Sequence, residues 1–508
     1  MNKLFLTACV FFLAQVATAQ DENKPTPQWR PVYHFTPEKN WTNDPNGLLY
    51  LNGDYHLYNQ QNPFENKWGH MSWGHATSKD LLHWNHLPIA MPESVHGDDT
   101  IWRFSGSAVW DKDNSSGFSK TGGCIVAIYT ADQPHSRKES QYVAYSNDGG
   151  MHFTNYEKNP VIDLQKKDFR DPNVFWYEPS KQWVMVVALP TEHKVRFYGA
   201  PDLKNWTLLS EFGNQGYTQA AWECPFMIQL DVRNKPGMKK WVLVNSAAGN
   251  QRGVYMQYYV GDFDGKTFTN NNAADKDIPL DYGDCFYAAI PWNHLPDDQK
   301  IYIGWMVPGE QQTYPWRGQM SIPRDLALEE TGEGIRLIQQ PASIIKNELK
   351  NLPRTQVRKM RNVRISGEKM LMTKTANGGN AYWIDASWDI KSGADAGFNI
   401  GQKAQQAPAA KVGYDATKHE IYVERSAAGG KINKDRVRQV IPLRGAADKL
   451  RLQILVDNSS LEVFVNNGEQ VLTTYIFPKQ GADGLSAFAS GTGTVITSLS
   501  IWDLSKLP

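Results

Sequence analysis

The chain reads as an all-β protein, a five-bladed β-propeller followed by a C-terminal β-sandwich. Three observations point there. A polar turn that hands an aromatic residue to the next strand recurs through the first two-thirds of the chain. The runs between these turns are short, β-branched and aromatic, with no long helical periodicity. Past residue 340 the pattern changes to a clean alternation of apolar and polar residues.

The turn appears as Ser78–Trp84 and again as Ala200–Trp206, with looser copies at Ser146–Phe153 and Phe263–Phe268. Its Asp positions, 80, 148, 202 and 264, recur 54 to 68 residues apart. Strand-like runs such as Cys124–Tyr129 and Trp183–Ala188 lie between them. A period of this size suits four-stranded blades, and residues 28–345 have room for about five. Unrelated hairpins with a common turn chemistry would give the same local signal; strand content combined with spacing favours the propeller. Gln339-Gln340-Pro341 ends the aromatic-rich region, Ala342–Leu349 has the pattern of a short helix, and Pro353 closes the junction. Residues 355–508 then form the sandwich. Leu450, Leu452, Ile454 and Val456 share one face, Leu461, Val463 and Val465 another, and Asp457–Ser460 turns the chain between them. Lys403–Ala410 reads as a loop.

Composition narrows the setting. Apolar residues make up 41% and charged residues 21% of 508, with zero formal net charge; no basic face suggests a nucleic-acid partner. Aromatics are abundant, at 18 Trp, 22 Tyr and 20 Phe, a composition that serves cores and also sugar sites, where apolar ring faces meet polar rims. Residues 1–19 read as a signal peptide: Lys3, an apolar run from Leu4 to Leu13, and the small-x-small site Ala17-Thr18-Ala19. Export to the periplasm or medium follows. Leu6-Thr7-Ala8-Cys9 is a rival lipoprotein box, but cleavage there would leave few apolar residues ahead of Cys9. The apolar run is too short for a stable membrane span. Cys124, Cys224 and Cys285 remain after processing, an odd number whose spacing fits neither a disulfide framework nor a zinc site. His70, His75, His83 and His86 likewise match no metal pattern and read as structural. No metal or cofactor is expected.

Three acidic segments carry the chemistry. Trp41–Gly47 (Trp-Thr-Asn-Asp-Pro-Asn-Gly) alone is a turn, Phe169–Asn173 (Phe-Arg-Asp-Pro-Asn) alone a surface ion pair before a turn. In Trp222-Glu223-Cys224-Pro225 a Glu sits among apolar neighbours, a setting that favours the neutral acid. Together and in this order they resemble glycoside hydrolase family 32, the invertases, inulinases and levanases, over nearly the whole mature chain. The resemblance implies a five-bladed propeller with a sandwich, and β-fructosidase activity with retention. It places the nucleophile on Asp44, a transition-state stabiliser on Asp171 and the acid/base on Glu223. Asn59–Pro63 resembles the family's sugar-binding Gln segment, which falls on Gln60. Trp68–His75, Phe104-Ser105-Gly106 and Pro315–Gly318 also fit, making Trp68, Phe104, Ser105 and Trp316 substrate-binding candidates beside Asn43 and Arg170. Asp457–Phe464 resembles the signature of the family's C-terminal sandwich; Glu462 within it reads as structural. Thr42 stands where Met is usual. In Asp281–Ala288, Cys285 stands where the family often has Asp, which leaves that blade's sugar contacts open; Asp284 is a substitute on the opposite side of the strand.

The chemistry needs these groups because breaking a fructosidic bond builds positive charge on the anomeric carbon and negative charge on the leaving oxygen. An ionised Asp44 answers the first and a protonated Glu223 the second, while Asp171, kept charged with help from Arg170, holds ring hydroxyls more tightly as the sugar becomes cationic. The substrate expected is a fructan (levan or inulin) or a fructo-oligosaccharide, with sucrose as a further substrate and exo release of fructose. A non-catalytic fructan-binding relative and a transfructosylase are the alternatives. Linkage preference and oligomeric state are not encoded in any motif.

Overall fold

The recurring turn is the outer turn of a propeller blade. In the computed structural model, Asp80 Oδ1 accepts the backbone N–H groups of Leu82 and His83 at 2.9 and 2.8 Å. Asp148 does the same for Met151 and His152, Asp202 for Lys204 and Asn205, and Asp264 for Lys266 and Thr267. Each turn joins the third strand of a blade to the next, and Trp84, Phe153, Trp206 and Phe268 follow it. The fifth blade makes this turn differently: the Thr331 hydroxyl donates to the Gly334 carbonyl at 2.8 Å, so the repeat shows four copies in a ring of five.

The structure describes residues 24–507 apart from 251–252, 352–354, 392, 404–405, 427–429 and 432–433. The segment 1–19 read as a signal peptide, Cys9 with it, and Pro353 lie outside the described residues. No helix among the described residues is long and apolar enough to cross a membrane.

Blade I comprises Asn40–Leu51, Asp54–Asn62, Ser72–Ser78 and Asn85–Met91. The inner strands of blades II to V are Asp99–Asp111, Arg170–Tyr177, Ala221–Asp231 and Phe286–Pro291, and blade V ends at Gly334–Pro341. Each inner strand contacts the next around the axis, and the fifth contacts the first. The ring is closed by parallel pairing of Asn40 and Trp41 with Trp316 and Arg317. A helix, Ser343–Asn351, leads out of the last blade.

Ten strands follow, nine on one hydrogen-bonded path folded into two layers and one, Gln356–Met372, branching from it. The last strand, Gly484–Asp503, runs along Gln356–Met372 on one edge. Its other edge pairs first with Ala396–Gln402 and then with Tyr382–Asp389. Ile384, Ile454 and Val463 from one layer share a core with Phe398, Val412 and Ile421 from the other. The two apolar rows of the 450–465 hairpin lie on the same face, not on two: Leu452 sits opposite Val465, Ile454 opposite Val463, and Val456 opposite Leu461, and directly paired antiparallel residues point the same way. The expected loop stops one residue short of its predicted end, since Ala410 already pairs with Arg425.

The two domains share a core and a buried ionic network. Leu455, Phe464 and Val471 belong to the same apolar cluster as Tyr302, Leu326 and Ile345. Arg324, fully buried in blade V, reaches Glu462 at 2.5 Å and Asp281 at 3.2 Å. Glu462 also contacts His34 Nε2 at 2.8 Å, and His34 Nδ1 meets Asp457 at 2.8 Å. Asp457 further accepts the backbone N–H groups of Val32, Tyr33 and His34, so residues 32–34 form a strap held between propeller and sandwich. The Asp457–Phe464 signature is therefore a docking element. Glycine is required where the domains touch: at Gly468 (φ +83°) an added Cβ would lie 1.6 Å from the Gln339 carbonyl oxygen.

Candidate active site

All five inner strands carry the same irregularity at the same height. Three residues on the inner strand span two on its neighbour between Thr42 and Pro45, Arg103 and Gly106, Arg170 and Asn173, Glu223 and Phe226, and Tyr287 and Ile290. Each is a bulge with one extra residue, a device that bends a strand and re-aims its side chains. Asp171 (φ 67°), Cys224 (φ 46°) and Ala288 (φ 50°) occupy the left-handed region at these bulges. Pro45, Pro172 and Pro225 fall in or beside three of them, where the missing N–H costs no ladder bond. The five bulges deliver Asp44, Ser105, Asp171, Glu223 and Tyr287 to one axial mouth.

The contacts join these blades directly. Asp44 Oδ2 accepts from Ser105 Oγ at 2.5 Å and Gln60 Nε2 at 3.2 Å. The Cys224 thiol lies 3.5 Å from Asp44 Oδ2 and 3.6 Å from Asp171 Oδ2, so a single sulfur touches both carboxylates. The Cys224 N–H donates to Asp171 at 2.9 Å, and the Asp171 N–H donates to Thr130 Oγ1 at 2.9 Å. Glu223 Oε1 accepts from Arg170 Nε at 3.1 Å and Oε2 from the Tyr287 hydroxyl at 2.6 Å. Asp44 and Asp171 are 9% and 5% exposed, whereas the Glu223 side chain is 28% exposed. One carboxyl thus faces water and two lie beneath it.

Burial pushes Asp44 above the usual carboxylate range, opposed by hydrogen bonds from Ser105, Asn43 and Cys224, with the Glu223 charge adding to the rise. Asp171 is pushed up by burial, opposed by the Arg170 charge and the Cys224 N–H, and raised further by the charges of Glu223 and Asp44. The charge of Glu223 thus works against the ionised form of both buried carboxyls.

Several sequence expectations are corrected. Glu223 does not sit in an apolar cradle. Trp222 packs into a core cluster and the Cys224 thiol turns to Asp44 and Asp171, which leaves Glu223 among polar partners, Arg170 and Tyr287. The expected help of Arg170 to Asp171 is present as charge, which opposes the rise at Asp171, while its hydrogen bonds go to Glu223, Glu139 and Asp168. Asp281 and Asp284 do not face the mouth. Asp281 binds Arg324 and Thr473, and Asp284 binds Arg425 and Thr474, all at the domain interface. Cys285 is buried there against the Thr473 carbonyl.

Asn43 is buried beside Asp44 and accepts from Trp41 Nε1 at 2.9 Å. Trp68, 51% exposed, and the half-buried Phe104 form an aromatic rim with Trp102, each ring meeting its neighbours within 6.4 Å. Trp316 is only 2% exposed, at the ring closure, with the Arg30 guanidinium 4.6 Å from its ring centroid, so its face is covered rather than open at the mouth. The histidines have structural partners: His70 meets Glu93, His83 caps its own turn through Asp80, and His86 packs against Phe35. His75, its pKa pushed down to about 3 by burial, pairs with His56. Sequence reasoning missed Tyr287, Glu139, the Cys224 thiol and Trp102. Tyr287 carried a signal, since it precedes its bulge as Glu223 precedes its own. Glu139 carried none, being one Glu in the third strand of a blade.

The chain matches the family described as glycosyl hydrolases family 32 N-terminal domain over residues 34–341 and its C-terminal counterpart over residues 348–503. It is 41% identical to a levanase of Bacillus subtilis, covering 100% of this chain and 76% of that protein. It is 37% identical to an extracellular exo-inulinase of Aspergillus awamori, covering 97% of each. The crystal structure of exo-inulinase from Aspergillus awamori superimposes with a TM-score of 0.85 over 95% of this chain and 99% of that one. A fructofuranosidase from Schwanniomyces occidentalis, complexed with fructosylnystose, gives 0.83 at 30% identity over 96% and 99%. With both family domains matched along nearly the whole chain and the fold in common with such proteins, the chain belongs to glycosyl hydrolase family 32.

Proposed function

We propose that this protein is a retaining, exo-acting β-fructosidase that removes fructose from levan, inulin and sucrose. One observation carries the reading: three carboxyls from three blades converge on one mouth, two buried and linked through a single thiol, the third exposed and held by Arg170 and Tyr287. Kinship with levanase, exo-inulinase and invertase supports the substrate class.

Asp44 attacks the anomeric carbon, the glycosidic C–O bond breaks, and Glu223 donates its proton to the leaving oxygen. A fructosyl ester on Asp44 results. Water enters from the exposed side, gives a proton to Glu223 and attacks the same carbon, freeing fructose and restoring the Asp44 carboxylate. Asp171 accepts ring hydroxyls, a contact that strengthens as the ring gains positive charge. Gln60, Ser105 and Asn43 orient Asp44 and line the sugar; Arg170 does both for Glu223; Trp68 and Phe104 supply apolar faces, while the buried Trp316 supports the ring closure behind them. The protein works outside the cell, exported through residues 1–19, with the sandwich as a support for the propeller.

The test is a time course on sucrose, inulin and levan with product separation. Free fructose from the earliest points is expected; an oligomer ladder would overturn the exo reading. Asp44→Ala and Glu223→Ala should each remove nearly all turnover in a folded protein, and full activity in either would overturn the assignment.

A further inference from the structure

Glu139 lies outside the catalytic trio yet is built into it. It belongs to the third strand of blade II, Lys138–Ser146, and is 5% exposed. Both its carboxylate oxygens accept from one nitrogen of Arg170, at 2.7 and 3.0 Å. The Phe169 N–H fixes Oε2 at 2.7 Å. The other edge of the same guanidinium, Nε, donates to Glu223. Three blades are thus linked in one line, carboxylate to guanidinium to carboxyl. A planar guanidinium cannot bend, so the group that fixes one edge fixes the other.

We infer that Glu139 is a positioning residue for the acid/base: it aims Arg170 at Glu223 and offsets the charge that Arg170 presents there. The inference rests on the fructosidase reading above. An unbalanced guanidinium against the acid would favour loss of its proton before the leaving oxygen is reached. A carboxylate on the far edge cancels part of that charge, so the acid keeps its proton to higher pH.

The surrounding charges are consistent with this balance. Arg170 also holds Asp168 at 3.2 Å and lies near Asp171 and Asp132. Asp132 faces Glu139 directly across the sheet, and Lys166 faces it from the other side but is turned to Glu192. Lys138 is taken by Asp163. On the Glu223 side stand Tyr287, Asp44 and Asp171. Arg170 is accordingly the cation that these carboxyls share. Burial, opposed by Arg170, pushes Glu139 itself up to about 7, so its charge beside the guanidinium is fully present only above that pH.

The test is the pH–rate profile of sucrose hydrolysis. Glu139→Gln keeps the shape and an acceptor but removes the charge, so the alkaline limb of kcat should move to lower pH by about one unit, the size of one screened neighbouring charge. Glu139→Asp keeps the charge and should leave that limb near its parental position even if turnover falls. A merely structural role would lower the melting temperature or the rate at every pH without moving the limb. An unmoved or alkaline-shifted limb in Glu139→Gln overturns the inference. If that variant does not fold, Asp168→Asn, which removes a less buried charge from the same guanidinium, should give a smaller acid shift, and no shift overturns it. These outcomes are separable from failure of the fructosidase reading, which would appear as turnover surviving in Asp44→Ala or Glu223→Ala.

Discussion

His34 offers a direct measure of what holds the two domains together. Its ring lies fully buried between Asp457 and Glu462, with one carboxylate on each nitrogen at 2.8 Å. Both nitrogens must donate, so the ring is the cation. Burial alone would lower its pKa, but the two carboxylate hydrogen bonds and their charges outweigh that and raise it from 6.5 to about 9. A cation whose pKa is raised on folding stabilises the folded state fully below its unfolded value, and this contribution is lost as pH rises through the folded value. At about 1.4 kcal/mol per pKa unit, the His34 contribution is about 3 kcal/mol at pH 6. His34→Gln removes the charge while keeping a donor. Its urea midpoint should fall by an amount equivalent to about 3 kcal/mol at pH 6 and converge on the parent near pH 10, with an unchanged m-value. The same convergence should appear in the rate of tryptic cleavage near residue 30. A parent–variant difference that stays constant from pH 6 to pH 10 would refute the argument, because packing loss does not titrate.

Two further outcomes test the site and the interface. Ser105→Ala removes a 2.5 Å donor to Asp44 that opposes the effect of burial; kcat/KM on sucrose should fall roughly 10- to 100-fold, the worth of a hydrogen bond to a charged group, and the acid limb of the profile should move to higher pH. Gly468→Ala places a Cβ against the Gln339 carbonyl at the domain contact and should lower stability by about 2 kcal/mol or more in thermal unfolding, with an unchanged melting temperature counting against the docking role.

What the sequence could and could not convey follows from range. The Asp turns were legible because Asp80, Asp148, Asp202 and Asp264 each bond N–H groups two to four residues ahead, and local chemistry leaves a local pattern. Asp44, Asp171 and Glu223 were legible because each sits in a short motif that builds its own bulge, with Pro one or two residues after the acid. The environment of Glu223 was not. Its flanking residues suggested an apolar setting, but Trp222 packs in the core, Cys224 turns to Asp44 and Asp171, and Arg170 and Tyr287 arrive from other blades. The partners of Asp281 and Asp284 left no local trace either: Arg324, Thr473 and Arg425 lie 43 to 192 positions away, and nothing near the two acids in sequence announces a second domain. Glu462 was rightly set apart from catalysis, although its partners could not be named in advance.

The strap at Val32–His34 has a consequence for how the molecule is made. Its anchor, Asp457, is 425 residues downstream of Val32, and the first blade acquires its parallel neighbour only when Trp316 arrives. Hairpins of the middle blades can form as the polypeptide emerges, but the beginning stays loose until the end is delivered. A nascent or prematurely terminated product would therefore display an unfastened leading segment together with an Arg324 that lacks its Glu462 partner, features that a protease or chaperone can distinguish from the finished product.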